Sequence, residues 1–512
     1  MNTLRKLVPW MGLVLFLAAT FGLRCWNWDQ VFVQGDVYFV DADCYSRMTR
    51  VRQVMEHPFH PIRHHGFENA PEGVVPHTTS PMDFAVAALA FVLRPFSPQA
   101  LDLAGAFISP LLGMMLTGFL WAWSRDLNLP FRHALLLVVG TSPILVHGFL
   151  LGRPDHQSLI LLLCGVALAA EIAVWTRRSR GWEILSAVAW ALALWTSLFE
   201  PAILLAATAV GRVLVLGRRA LPDRAAAAAF AAILAGGTLF DGWRFQPPGP
   251  EIREFFPRWA LTIGELNHLR FGQLFVWTGW LLPVVPALLV LRFAKARMFP
   301  CLALALLLAG TIGLSLWYAR WGYFLALVFA FSLPFALAAV PRRPLVWLLF
   351  LVSLWPIAAE WDRMLYPDAA RQAALAENRE DAVLLRATAS ALTGPEPKII
   401  LAPWWLSPAI AYWSGQPCVA GSSHQSLPGT VETARFYLAT GTDAAEILRR
   451  RQVTFVISYE PSRILGNSAQ ILGRQPDKSS MGQVLYDRPF AAPQFLRLVS
   501  QNTYFRVYEF LR

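Results

Sequence analysis

Asp41 and Asp43 stand two residues apart in Asp41-Ala42-Asp43-Cys44-Tyr45-Ser46-Arg47-Met48-Thr49-Arg50. Two carboxylates so placed can share a hard divalent cation such as Mg²⁺ or Mn²⁺, which prefer oxygen ligands. The plainer alternative is a solvated loop or a helix cap. A second candidate is Gly152-Arg153-Pro154-Asp155-His156-Gln157-Ser158, which sets a carboxylate and an imidazole at the edge of an apolar run. Ionisable groups at membrane depth are functional candidates by default, but Asp155 could equally cap the helix that follows. Thr262-Ile263-Gly264-Glu265 adds another carboxylate, and Arg320-Trp321-Gly322-Tyr323-Phe324 puts a cation at the mouth of a further apolar run. An arginine there can hold a lipid phosphate through paired N–H donors, or it can snorkel to the interface. Trp404-Trp405 follows the strand-like Lys398–Leu401. Paired aromatics near a membrane more often pack than bind.

The elements that must carry these residues follow from composition. Apolar residues make up 56% of the 512 and charged residues 15%, against about 45–50% and about 25% in soluble domains. Mean hydropathy is +0.44. These values exclude a disordered chain, a disulfide scaffold and an ordinary soluble enzyme. They indicate a polytopic α-helical membrane protein. Charged residues number 47 in residues 1–359 and 30 in residues 360–512, so a transmembrane domain precedes a soluble tail of about one domain. Apolar runs long enough to span a bilayer lie near 8–23, 100–124, 132–151, 157–176, 183–199, 201–217, 225–241, 273–291, 299–318, 321–340 and 344–359. The run at 82–96, between Pro81 and Pro95, is short and reads as an interfacial or re-entrant helix. Eleven spans put the two ends on opposite sides.

The 44 basic and 33 acidic residues give a net charge of +11, which raises nucleic acid as a partner. Sorting the charges by loop removes it. One set of loops, at 5–6, 125–132, 177–183, 218–224, 292–297 and 342–343, holds 15 basic and 3 acidic residues. Basic loops mark the cytoplasmic side, so the excess is an orientation signal in a lipid bilayer and no nucleic-acid patch. The N-terminus is then cytoplasmic and the tail periplasmic or extracellular. Leu4–Ala19 has a signal-like flank but no clear cleavage site, and reads as the first span. Two long outer loops run over 24–101 and 242–272. Of five cysteines, Cys25, Cys44 and Cys418 fall on the oxidising side, enough for one disulfide. All the candidate motifs lie on that same side. Together they suit an enzyme acting on a phosphate-bearing lipid, with a metal stabilising the leaving phosphate.

The order of motifs resembles the STT3 family of oligosaccharyltransferases, membrane glycosyltransferases with a GT-C fold whose bacterial and archaeal members are single subunits. Asp43-Cys44-Tyr45 with Arg50 resembles the acidic motif of the family's first outer loop, with Asp41 as an alternative match. Glu72-Gly73 and Pro81-Met82-Asp83 are similar to a later stretch of that loop. Asp155-His156-Gln157 stands where the family has its second acidic motif, Asp-x-Glu or Asp-x-His. Thr262–Glu265 resembles the Thr-Ile-x-Glu motif, Arg320 the arginine that holds the lipid phosphate, and Trp404-Trp405 the start of Trp-Trp-Asp-Tyr-Gly. The pattern over Ala444–Ser458 is similar to the family's α/β tail.

The resemblance implies a polytopic GT-C protein of about 11–13 transmembrane helices with a C-terminal α/β domain, in a bacterial inner membrane. It implies glycan transfer from a polyprenyl-(pyro)phosphate-linked donor to an acceptor protein or glycan at the outer face. By the same resemblance Asp43, Asp155, Gln157 and Asp41 hold Mg²⁺ or Mn²⁺. Asp43 and Glu265 are catalytic and engage the acceptor, Arg320 binds the donor phosphate, and Trp404 and Trp405 bind the acceptor.

Two positions depart from the pattern. Gln157 is a neutral, weaker ligand than the Glu or His it replaces. Leu406-Ser407-Pro408 stands where the family has Asp-Tyr-Gly. In the family that Asp, with the paired Trp residues, receives the Ser/Thr of an Asn-x-Ser/Thr acceptor, and Leu406 accepts no hydrogen bond. The alternatives are a transporter or flippase, for which charged midplane residues and repeats are expected and not seen, and a non-catalytic binder of lipid-linked glycans.

Overall fold

The computed structural model describes residues 2–244 and 249–511. It divides into two compact units. One is built from 1–28, 107–240 and 265–369, the other from 29–106, 241–264 and 370–512.

Among the described residues seven helices are long and apolar enough to cross a membrane, and Met11–Arg24, Pro81–Leu93 and Arg132–Thr141 are shorter apolar helices. The expected span at 132–151 is broken. Ser142 leaves the helical region at ψ 120, between the helices Arg132–Thr141 and Pro143–Gly148, because a residue before proline is pushed out of the α conformation. The run at 273–291 is interrupted by Gly279 at φ +79, and its long helix begins only at Val284.

The first unit is organised around the helix Gly322–Leu337, in which every residue is buried. It has no polar face to show to solvent, and a helix apolar all round belongs in an interior. It packs on Phe299–Trp317, Val284–Ala296 and Arg132–Thr141. The turn Ala319–Trp321 leads directly into it, so Arg320 sits at the head of the most enclosed helix of this unit.

An ion network ties three helices of the unit together. Arg212, inside an apolar run, reaches Glu171 at 2.9 Å and Glu183 at 3.5 Å. Ser186 and Trp175 also donate to Glu171, at 3.0 and 3.1 Å. Charges at membrane depth persist where they are paired in this way.

The second unit contains a four-stranded mixed sheet in the order Ile399–Leu401, Val453–Ser458, Arg506–Phe510, Leu496–Gln501. The first pair is parallel and the other two are antiparallel. This is the α/β tail that the sequence implied, and segments of the two long loops pack with it in the same unit. Phe255 and Trp259, from the second long loop, share a core with Leu427, Val431, Ala434 and Ile471. The helix Ala42–Glu56, from the first long loop, packs on Pro81–Leu93 and Ser407–Ser414. Each loop segment buries its apolar stripe against an element far away in sequence. None of the five cysteines forms a disulfide.

Candidate functional site

In the first unit the loop before His156 is fixed from two directions. Gly152 adopts φ +73, a left-handed turn that glycine takes without strain. Leu151 N–H donates to the Arg24 carbonyl at 2.9 Å, and Asn27 Nδ2 donates to the Leu151 carbonyl at 3.0 Å. From the other direction the Ser109 hydroxyl donates to the Arg153 carbonyl and meets the Ser158 hydroxyl at 2.9 Å. Asp155 begins the helix His156–Thr176, yet its side chain makes no capping bond. It turns instead to His156 Nδ1 at 2.5 Å and Arg153 Nη2 at 3.5 Å. Arg153 also donates to Gln157 Oε1 at 3.5 Å and lies over the Tyr323 ring at 5.8 Å. Tyr323 in turn bonds His147 Nδ1 at 2.8 Å. Asp155, His156 and Gln157 are all buried.

Arg320 is the hub of the same unit. Its Nη2 lies 2.6 Å from Glu200 Oε1 and its Nη1 3.6 Å from Glu265 Oε1. The segment carrying Glu265 is fastened beside it, since Ala319 N–H donates to the Asn267 carbonyl at 3.1 Å and Leu269 N–H to the Leu316 carbonyl at 3.1 Å. Sequence reasoning missed Glu200, which sits against Pro201 at the start of an apolar helix and reads there as an ordinary flanking acid. Its one sequence signal is an ionisable residue at the edge of a span.

In the second unit Asp41 and Asp43 take different roles. Asp41 is the N-cap of Ala42–Glu56 and accepts Cys44 N–H at 3.0 Å, the plainer reading of that carboxylate. Asp43 stands exposed in the first turn. The helix beneath it is anchored by a buried cluster in which Asp83 meets Arg47 at 2.7 Å and Arg50 at 3.1 Å. Both arginines also donate to Thr78 Oγ1 at 3.1 Å. Burial lowers the Arg50 pKa to about 10. Glu68, also buried, accepts from the Ser46 hydroxyl and from Ser423 at 2.9 Å.

Trp404 and Trp405 line a small open pocket with Thr430, Thr433, Asn467 and Ser468. Trp404 Nε1 donates to Asn467 Oδ1 at 2.9 Å, and the Arg463 guanidinium lies 5.1 Å from the Trp405 ring centre. Trp405 Nε1 and Thr433 Oγ1 are buried without a hydrogen-bond partner among the described residues. Leu406 is buried, and the Ser407 hydroxyl is spent on the Ala402 and Pro403 carbonyls at 3.0 and 3.1 Å.

The donor types of Asp41, Asp43, Asp155 and Gln157 suit Mg²⁺ or Mn²⁺. Among the described residues no group of three or more His, Cys, Asp or Glu is placed to hold a metal ion. Asp41 is occupied as a cap, Asp155 is engaged on both oxygens, and Gln157 is turned to Arg153. Asp41 and Asp43 belong to one unit and Asp155 and Gln157 to the other, and within neither unit do these residues alone form a metal site.

No family model matches the sequence, and no curated protein matches it. Solved structures do. The oligosaccharyltransferase of Archaeoglobus fulgidus in its apo form superposes with a TM-score of 0.75 at 14% identity, over 98% of this chain and 80% of that one. The AglB oligosaccharyltransferase of the same organism, in complex with an inhibitory peptide and a dolichol-phosphate, gives 0.71 at 13% identity, over 97% and 80%. ArnT from Cupriavidus metallidurans, bound to undecaprenyl phosphate, gives 0.52 at 14% identity, over 97% of each chain. At such identities the likeness is one of fold. The chain shares the fold of these structures, a polytopic helical portion with a C-terminal α/β portion.

Proposed function

We propose that this chain is a membrane glycosyltransferase of the oligosaccharyltransferase type. It moves a glycan from a polyprenyl-(pyro)phosphate-linked donor to an acceptor, protein or other, at the outer face of the membrane. The observation that carries this reading is Arg320, presented at the head of a fully buried helix between two carboxylates, in a fold shared with proteins solved with dolichol-phosphate and undecaprenyl phosphate. In the reaction the sugar–phosphate C–O bond breaks, the acceptor forms the new bond to the sugar and passes its proton to a carboxylate, Glu265 or Asp43, and the lipid leaves as its phosphate or pyrophosphate. Arg320 meets the charge that develops on that leaving group, through fixed N–H donors in a water-poor setting. Glu265 and Asp43 are the carboxylates assigned to the acceptor, and the Trp404–Trp405 pocket is its docking site. The basic loops support a cytoplasmic N-terminus and an outer-facing tail, in keeping with a multi-pass protein of the inner membrane.

The test is donor consumption. Purified protein is incubated with a lipid-linked oligosaccharide and candidate acceptors, with and without Mn²⁺, beside Arg320→Met and Asp43→Ala. Wild type is expected to release lipid phosphate and the variants to lose at least about 100-fold in kcat/KM. Wild-type turnover no faster than Arg320→Met overturns the reading. Lipid translocation in proteoliposomes without glycan transfer favours a flippase instead.

A further inference from the structure

Glu200 is the second residue of the helix Phe199–Leu216, and its residue exposure is 3%. Its Oε1 lies 2.6 Å from Arg320 Nη2, yet neither carboxylate oxygen has a hydrogen bond of good geometry from any described residue. The guanidinium is therefore its ionic partner, and a close one. Arg320 keeps donor capacity in turn, because its Nε has no hydrogen-bond partner among the described residues. Stability does not account for such a pair. Replacing a buried ion pair by well-packed apolar residues is often neutral or better. The placement is informative because the pair is made by the residue assigned to the donor phosphate.

We infer that Glu200 is a positioning residue that competes with the lipid phosphate for Arg320. Without lipid the Glu200 carboxylate holds the guanidinium in place. With lipid bound, phosphate and carboxylate share one cation, and Glu265, at 3.6 Å, adds further negative charge. In a low-dielectric site that repulsion is large enough to lower phosphate affinity. It helps to expel the spent lipid phosphate, a step that limits turnover in many enzymes. The inference rests on Arg320 being the phosphate ligand.

The experiment measures binding of undecaprenyl phosphate to the full-length protein in nanodiscs, for wild type, Glu200→Gln, Arg320→Met and the double variant. Glu200→Gln is expected to bind about tenfold tighter, equivalent to about 1.4 kcal/mol, and to be inhibited more strongly by that lipid during turnover. The gain should vanish in the Arg320→Met background, as coupling through Arg320 requires. Glu200→Asp, which keeps the charge on a shorter arm, should fall between wild type and Glu200→Gln. It also serves if the Gln variant does not fold. A merely structural role weakens binding or leaves it unchanged, and either result in a folded Glu200→Gln protein overturns the inference. Wild-type affinity in Arg320→Met instead removes the underlying reading of Arg320.

Discussion

The Trp404 indole is locked on two sides. It donates to the Asn467 carboxamide at 2.9 Å and stands edge-on to Trp259, with ring centres 5.7 Å apart. The aromatic motif is thus pinned between the helices Pro461–Leu472 and Pro250–Ala260, and it frames a pocket whose polar groups are hydroxyls, indoles and a carboxamide. Among the described residues no carboxylate lines that pocket, and Leu406, which follows the paired Trp residues, is buried.

A site without a carboxylate to accept a substrate hydroxyl discriminates less strongly for it. Asn-x-Thr and Asn-x-Ala peptides are therefore expected to compete for this protein within about threefold of one another, whereas a site built to bond the hydroxyl separates them far more widely. Peptide competition against glycan transfer reads the ratio directly. A difference of about 100-fold or more would show that another group takes the hydroxyl.

Asp155 presents its two oxygens to His156 and Arg153. Donor-free protein is accordingly expected to bind Mn²⁺ weakly, with a Kd on the order of millimolar. Removing the imidazole in His156→Ala leaves one oxygen available and should tighten binding. Mn²⁺ titration followed by electron paramagnetic resonance checks both points, and micromolar affinity in wild type would contradict the arrangement described.

Much of this was legible from residue types. The net positive charge sorted into basic loops, the apolar runs marked helices, and the strand at Lys398–Leu401 was marked by its β-branched residues. Arg320 and Glu265 were visible as motif residues, and they do come together. Glu200 was not visible, since an acid beside a proline at a helix start is common and its partner lies 120 positions away. The breaks at Ser142 and Gly279 were missed because hydropathy averages over single residues that redirect the backbone. The shared core of Trp259 with Leu427 and Val431 was hidden for a similar reason, because apolar spacing shows that a face is buried without showing against what.

His65 gives the second unit a pH dependence. It is buried near Arg50, and burial first, then the neighbouring positive charges, lower its pKa from 6.5 to about 3. Folded protein holds this imidazole neutral while the unfolded chain protonates it below about 6.5. The unfolded state then binds more protons, so stability falls as pH drops from about 6.5 toward about 3, by about 1.4 kcal/mol per pH unit. Thermal melts at pH 7 and pH 5.5 should show the loss, and His65→Gln should flatten it. An unchanged slope in His65→Gln assigns the pH dependence to other groups.

Two arginine pairs in the first unit differ in what they contribute. Arg212 is mostly buried, with its side chain 12% exposed, and holds Glu171 and Glu183, exposed 5% and 2%. Arg177 pairs with Asp126 at 2.7 Å, but both side chains are about half exposed, at 60% and 48%. Removing the Arg212 charge in Arg212→Met strands the buried Glu171 carboxylate, while Glu183 keeps Arg178 at 2.8 Å, and breaking a buried pair from one side costs about 3–5 kcal/mol. Arg177→Met loses a solvent-screened pair worth about 0–1 kcal/mol. Unfolding of the detergent-solubilised variants should separate the two clearly. Equal losses would mean that Arg212 is better hydrated than its burial indicates, and that the three helices it joins are held by apolar packing alone.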